Sequence, residues 1–510
     1  MAESLPRCSL QDTIDLGKFF DLDETAILTQ IKEAFEPELE RLKSAKAVEG
    51  TDQQRYANGT SDDPSPSQIL YGTNYDEINR TLVGVLALRW IHNLDYQRFT
   101  RGQPPDCRLT EESFQWLCNL FSEGLKCAND LFTLILSMVI NDLGKDPNLE
   151  EDFFFHTRQP LTEQNHDALL LEAAKAGMVP CLDYLTPERR EDVMLGLELG
   201  SELNAGQLAQ AESVPINLEG LLTMKGHEHA FELKFMEQVL DVAGAAGHLD
   251  SSGAKNLIEP VFQAFKTVHE ISLEIIAGEV TLRQGYDKIL TKRGTMLHIK
   301  GFRRLSVSDR KERALLRLLT MGRTADKDQA ELFSKAFDAL DAASKEKLIK
   351  GLNIDGNVNE TAVLPYYMPA IISTTMEITK DSDEGRKQKA LTSLMRYLAR
   401  VLESGSVVIG LEGERMTGGE APGIVIERNM SKAQDVINSQ GFKDDPDILN
   451  GLAIPDGQVL QRRRTSLSFG PRVFETVLTI PRRVLAKPEI FEEDKNFGGS
   501  ASPEPVSAKG

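Results

Sequence analysis

Apolar residues recur along most of this chain at three- and four-residue spacings, the signature of helices that bury one face. From Thr25 to Leu42 the stripe is Ile27, Leu28, Ile31, Phe35, Leu39 and Leu42. Arg80 to Asp95 is apolar on most sides and predicts a buried helix. Thr110 to Cys127 predicts an amphipathic helix opened by Thr110, with acids in its first turn. Leu131 to Ile140 then runs ten residues without a charge. That run is too short for a bilayer and suits a core helix, with Asn129 as the expected cap. Further helices are expected from near Thr162 to Gly177, over Pro187–Leu203 and Leu218–Lys225, within 226–248, and over Glu259–Ile276. Residues 281–305 are mixed and basic. A second helical block over 308–403 has core faces such as Leu315, Leu316, Leu318 and Leu319, then Leu391, Leu394, Met395 and Leu398.

The pattern weakens elsewhere. Val407-Val408-Ile409 and Gly423-Ile424-Val425-Ile426 predict short strands around a glycine-rich loop. The expected fold is mainly α, organised as N-terminal helices (1–45), a polar linker (46–74), a helical domain (75–305), a second helical block (306–404), an irregular α/β segment (405–495) and a disordered tail (496–510).

Composition narrows the function classes. Of 510 residues, 41% are hydrophobic and 27% charged, ordinary for a soluble globular protein. A net charge of −20 argues against a nucleic-acid binder, which needs a basic face. The five cysteines form no CxxC, so neither a disulfide framework nor a structural zinc site is expected, and a reducing, cytoplasmic setting fits. The first residues lack a signal pattern, and no stretch of about 18 apolar residues suggests a membrane span.

Two segments combine ligand-type side chains with tight helix ends: Asn141-Asp142-Leu143-Gly144-Lys145, and Asp241 to His248. His92 precedes them, and His166-Asp167, His227 and His229 lie between. A carboxylate ending an apolar helix is costly unless something pairs with it, so a metal or a strong hydrogen-bond set is expected at Asp142. Imidazole with carboxylate suits zinc, iron or manganese, and carboxylate alone suits magnesium or manganese.

The order His92, Asp142-Leu-Gly-Lys, His166, His227 or His229, Asp241 resembles the His-Asp (HD) domain superfamily of all-helical, metal-dependent phosphohydrolases and their di-iron oxygenase relatives. The resemblance covers roughly 80–250. It implies His92, Asp142, His166 and Asp241 as ligands of a divalent metal, with His227 or His229 as a fifth. Lys145 would hold a phosphate or orient a carboxylate, and the implied chemistry is hydrolysis of a small phosphorylated or nucleotide-like metabolite by metal-activated water. Asn141 departs from the family pattern: it stands where the family pair has histidine, and its neutral amide is a weaker donor than imidazole.

Simpler readings stand beside this. NDLGK is also a plain helix end, and DVAGAAGH a close helix contact through small residues. The rival functions are therefore a di-iron oxygenase of the His-Asp type and, from a different class, a non-catalytic helical scaffold that kept the fold and lost the metal. Asn353 to Asn357 fits a turn better than a calcium loop, Gly410 to Gly423 lacks a phosphate-binding motif, and Arg462-Arg463-Arg464 fits a salt-bridged surface or a basic phosphorylation site.

Overall fold

The charge-free run forms the middle of a helix over Ala128–Ile140, buried at every position from Asp130 onward. Around it the computed structural model describes residues 5–46, 63–160, 166–357, 360–403 and 424–460. The protein is mainly α, with one small sheet. Among the described residues no helix is long and apolar enough to cross a membrane.

Most helices follow the sequence pattern, and the departures have local causes. The Thr25–Leu42 stripe is two helices, Glu24–Ala34 and Glu36–Leu42, broken at Phe35. Pro37 explains the break, because it has no N–H to continue the ladder. Asn129 does not cap the central helix. Cys127 holds that position, and Asp130 accepts hydrogen bonds from the backbone N–H groups of Lys126 and Cys127. The basic stretch 281–305 is largely a helix, Leu282–Ile299, opened by a Thr281–Gln284 capping box. Leu218–Lys225 belongs to a 3-10 segment, Pro215–Met224.

The second helical block contains a strand. β1 (Thr361–Tyr366) pairs in parallel with β2 (Ile424–Asn429), and β2 pairs antiparallel with β3 (Gly457–Leu460). β1 lies at the sheet edge, where Pro365 leaves no central ladder bond unmade. β2 fits the Gly423–Ile426 expectation. The expected strand Val407–Ile409, the loop to Gly423, the Arg462–Arg464 run, the tail and residues 47–62 of the linker lie outside the described residues.

The described residues belong to one compact unit built on two main apolar cores. The first joins the N-terminal helices, through Ile27, Ile31 and Leu39, to the helices up to Leu290 and to Leu316. The second runs from Leu297 to Leu449. Buried arginines tie the cores together. Arg317 donates to the carbonyls of Ala211, Glu212, Ser213 and Leu352, and Arg313 pairs with Asp287 at 2.7 Å. Asn353 closes its helix by donating to the carbonyls of Ile349 and Arg310, and Asp355 binds Arg283 at 2.6 Å, so this segment is a turn.

Candidate functional site

Three helix segments bring the site together. Asp76–His92 and Glu228–Gly244 cross where glycines remove side-chain bulk. A Cβ on Gly244 would collide with the carbonyl oxygen of Arg80, and one on Gly84 would lie 2.9 Å from that of Leu240. DVAGAAGH is thus a close helix contact, which sets Asp241 beside Arg80. The third segment is the end of Ala128–Ile140 with the turn Leu143–Lys145. A Cβ on Gly144 would collide with the carbonyl oxygen of His166, so this turn abuts the start of the His166–Lys175 helix.

Asp142, buried at 5% exposure, is therefore paired. Lys145 Nζ lies 2.8 Å from its Oδ1 and 3.3 Å from Glu77 Oε2. Arg80 Nη1 holds the other Glu77 oxygen at 2.7 Å. Lys234 Nζ lies 2.8 Å from Glu237 and donates to the Asn141 side-chain oxygen at 3.3 Å. Asp241 is half-buried and lies within the field of Asp142, Arg80, Lys145 and Lys234.

The charges divide unevenly. Burial opposes ionisation of Asp142, but Lys145 and Arg80 outweigh it and hold the carboxylate far below its usual range. Glu77 goes the other way. Burial, then the Asp142 charge, push it up to about 7, and the two carboxyls share a hydrogen bond. The proton of this pair thus sits on Glu77, which holds it in part at neutral pH, and Asp142 keeps the charge. Burial also raises Glu237 to about 7 against the pull of Lys234. Asp241 is raised by burial and by Asp142.

Of the sequence-derived residues, Asp142, Lys145 and Asp241 converge, and the backbone of His166 abuts them. The histidine side chains do not complete a ligand set. His92 ends its helix twelve residues beyond Arg80, about 18 Å along the axis at 1.5 Å per residue. There it stacks on Phe20, with ring centroids 3.7 Å apart. His229 lies twelve residues before Asp241 on another helix, again about 18 Å away, and His227 lies just before that helix. His229 Nε2 approaches Asp130 Oδ1 at 3.2 Å, at the opposite end of the central helix from Asp142. His166 has its Nε2 3.6 Å from the neighbouring Asp167.

Among the described residues no group of three or more His, Cys, Asp or Glu side chains is arranged to hold a metal ion. The donor chemistry agrees. Asp142 and Asp241 are surrounded by ammonium and guanidinium groups, which repel a divalent cation, and no imidazole replaces the one missing at Asn141. The expected set of His92, Asp142, His166, His227 or His229, and Asp241 does not fit a metal centre.

Sequence reasoning missed Glu77, Arg80, Lys234 and Glu237. Their signal was present: charged i,i+3 pairs on helices otherwise apolar on most sides. A charge in such a setting needs an internal partner.

The chain belongs to the family of unknown function DUF6829, whose model matches residues 28–449. That match covers the second core, most of the first and the central charge network. No curated protein and no solved structure matches the chain.

Proposed function

We propose that this chain is a non-catalytic helical interaction protein, with the layout of a His-Asp site but with its own cations in place of metal. One observation carries the reading. The carboxylates of Asp142 and Asp241, the two acids a metal would need, lie among Lys145, Arg80 and Lys234. Internal cations fix the helix ends as a metal would, without an open coordination position for water. The raised carboxyls of Glu77 and Glu237 keep the network near neutrality, which suits a buried structural element.

The rival is a metal-dependent phosphohydrolase, and thermal unfolding with and without metal separates the two. A ligand at a hundredfold excess over its Kd stabilises a folded protein by about 2.7 kcal/mol. We expect an unchanged Tm with added Mn2+, Zn2+, Fe2+ or Mg2+, and after treatment with a chelator. A rise of several degrees with one of these ions, lost in Asp142→Asn, would overturn the reading.

A further inference from the structure

At the end of the central helix away from Asp142, two adjoining clefts run across the surface, with volumes of about 860 and 450 Å³. Lys126, Glu228 and His229 line both. In the larger cleft Glu123, Glu232 and Glu270 flank a floor of Trp116, Leu120 and Leu273. In the smaller one Glu188, Glu191 and Asp192 stand above Asp130. Among the described residues, the lysine and arginine side chains lining the pair are Lys126 and Arg189.

We propose that this double cleft docks a lysine- and arginine-rich segment of a partner protein. The proposal names the partner class for the interaction role above and rests on that role.

Three features select that occupant. The first is charge. Glu123, Glu191 and Glu270 are exposed and form no ion pair among the described residues, so their field faces outward. Carboxylates lining a concave surface concentrate field on whatever enters it. The second is the floor. Trp116 is half-buried, with edge contacts to Phe262 and His269, and the Lys266 ammonium already lies over its ring at 5.5 Å. An indole face attracts cations, and the apolar floor accepts the methylene stems of long basic side chains. The third is Asp130. It is 1% exposed and lines the smaller cleft, yet its Oδ1 accepts no hydrogen bond. Arg189 and His229 stand 3.0 and 3.2 Å away without aligning an N–H on it, and His229 Nε2 likewise lacks a hydrogen-bond partner. This buried carboxylate, held by Arg189 and His229 as ion-pair partners, adds negative charge beneath the smaller cleft. The groups facing it are Arg189, Asp192 and His229, with Lys126 at the rim.

The test uses the full chain and a fluorescein-labelled oligolysine peptide, read by anisotropy at low salt. Because the protein carries a net charge of −20, a control must separate the cleft from bulk attraction. Glu123→Gln/Glu191→Gln/Glu270→Gln removes three exposed cleft charges. Glu150→Gln/Glu151→Gln/Glu346→Gln removes three exposed charges elsewhere. Circular dichroism establishes that both variants fold. We expect the cleft variant to weaken binding about tenfold or more, with a shallower salt dependence, and the control to bind like the parent. Unlabelled spermine, a free polyamine, should compete poorly. Equal weakening by both variants, no weakening by the cleft variant, or spermine competing as well as unlabelled peptide would overturn the proposal. A failure here leaves the metal reading untouched, because metal-dependent Tm does not depend on these residues.

Discussion

The Lys145 ammonium lies 2.8 Å from Asp142 Oδ1, three residues away across a tight turn at the end of the central helix. This contact makes the segment an internal ion pair rather than a simple helix end, and the two roles differ in energy. Removing one member of a buried pair costs about 3–5 kcal/mol, whereas removing a helix cap costs about 0.5–2. Asp142→Ala should therefore lower unfolding free energy in urea by about 3 kcal/mol or more. A loss under about 1 kcal/mol would reduce Asp142 to a cap. Asp142→Asn combined with Lys145→Met should show a coupling of about 0.5–3 kcal/mol in a double-mutant cycle.

The network gives stability a definite pH dependence. Glu77 and Glu237 each stand at about 7 when folded against an ordinary value near 4.5, so the folded state holds their protons more tightly. Their contribution is complete below about pH 4.5 and is lost as pH rises through 7. Each group contributes at most roughly 3 kcal/mol over that window. The depressed carboxyl of Asp142 acts with the opposite sign, but below the ordinary carboxylate range. Urea titrations from pH 5 to 8 should show falling stability. Glu77→Gln should reduce the slope by about half, and adding Glu237→Gln should flatten it further. An unchanged slope in the double variant would refute the assignment.

The helix crossing is a separate point of failure. A Cβ on Gly244 meets the backbone of Arg80 and Gly84, which cannot rotate away. Gly244→Ala should destabilise by about 1–3 kcal/mol, despite the better helix propensity of alanine. A neutral or stabilising result by thermal unfolding would show that the helices have room to separate.

Much of the fold was legible because helix periodicity is a local signal. Thr110 does cap its helix, and the Glu259–Ile276 expectation meets a helix ending one residue later. β1 was not legible, because TAVLPY has no alternation to mark it and pairs with a strand some sixty residues on. At the site, Asp142 and Asp241 stood out as carboxylates at apolar helix ends, and they do converge. The histidines misled because spacing along the chain carries no information about which end of a helix a residue occupies. His92 and Arg80 share one helix, yet only Arg80 reaches Asp142. The cations were overlooked because lysine and arginine usually lie in solvent, and only the apolar surroundings of Glu77/Arg80 and Lys234/Glu237 marked these as internal.

The histidines themselves offer a further check. His92→Ala should lose only its stacking on Phe20, about 0.5–1.5 kcal/mol. Neither His92→Ala nor His229→Ala should alter metal content or metal-dependent Tm. Loss of bound metal in either variant would place these imidazoles in a centre they do not reach in this fold.

The central claim is that lysine and arginine neutralise the acids a metal would otherwise hold. Elemental analysis of the full chain, purified without chelators and again after anaerobic loading with iron or manganese, tests it most directly. The account predicts less than about one tenth of an equivalent of any transition metal per chain in both preparations, because ammonium and guanidinium groups occupy the cation positions. One or two equivalents retained through gel filtration, and absent from Asp142→Asn, would contradict it.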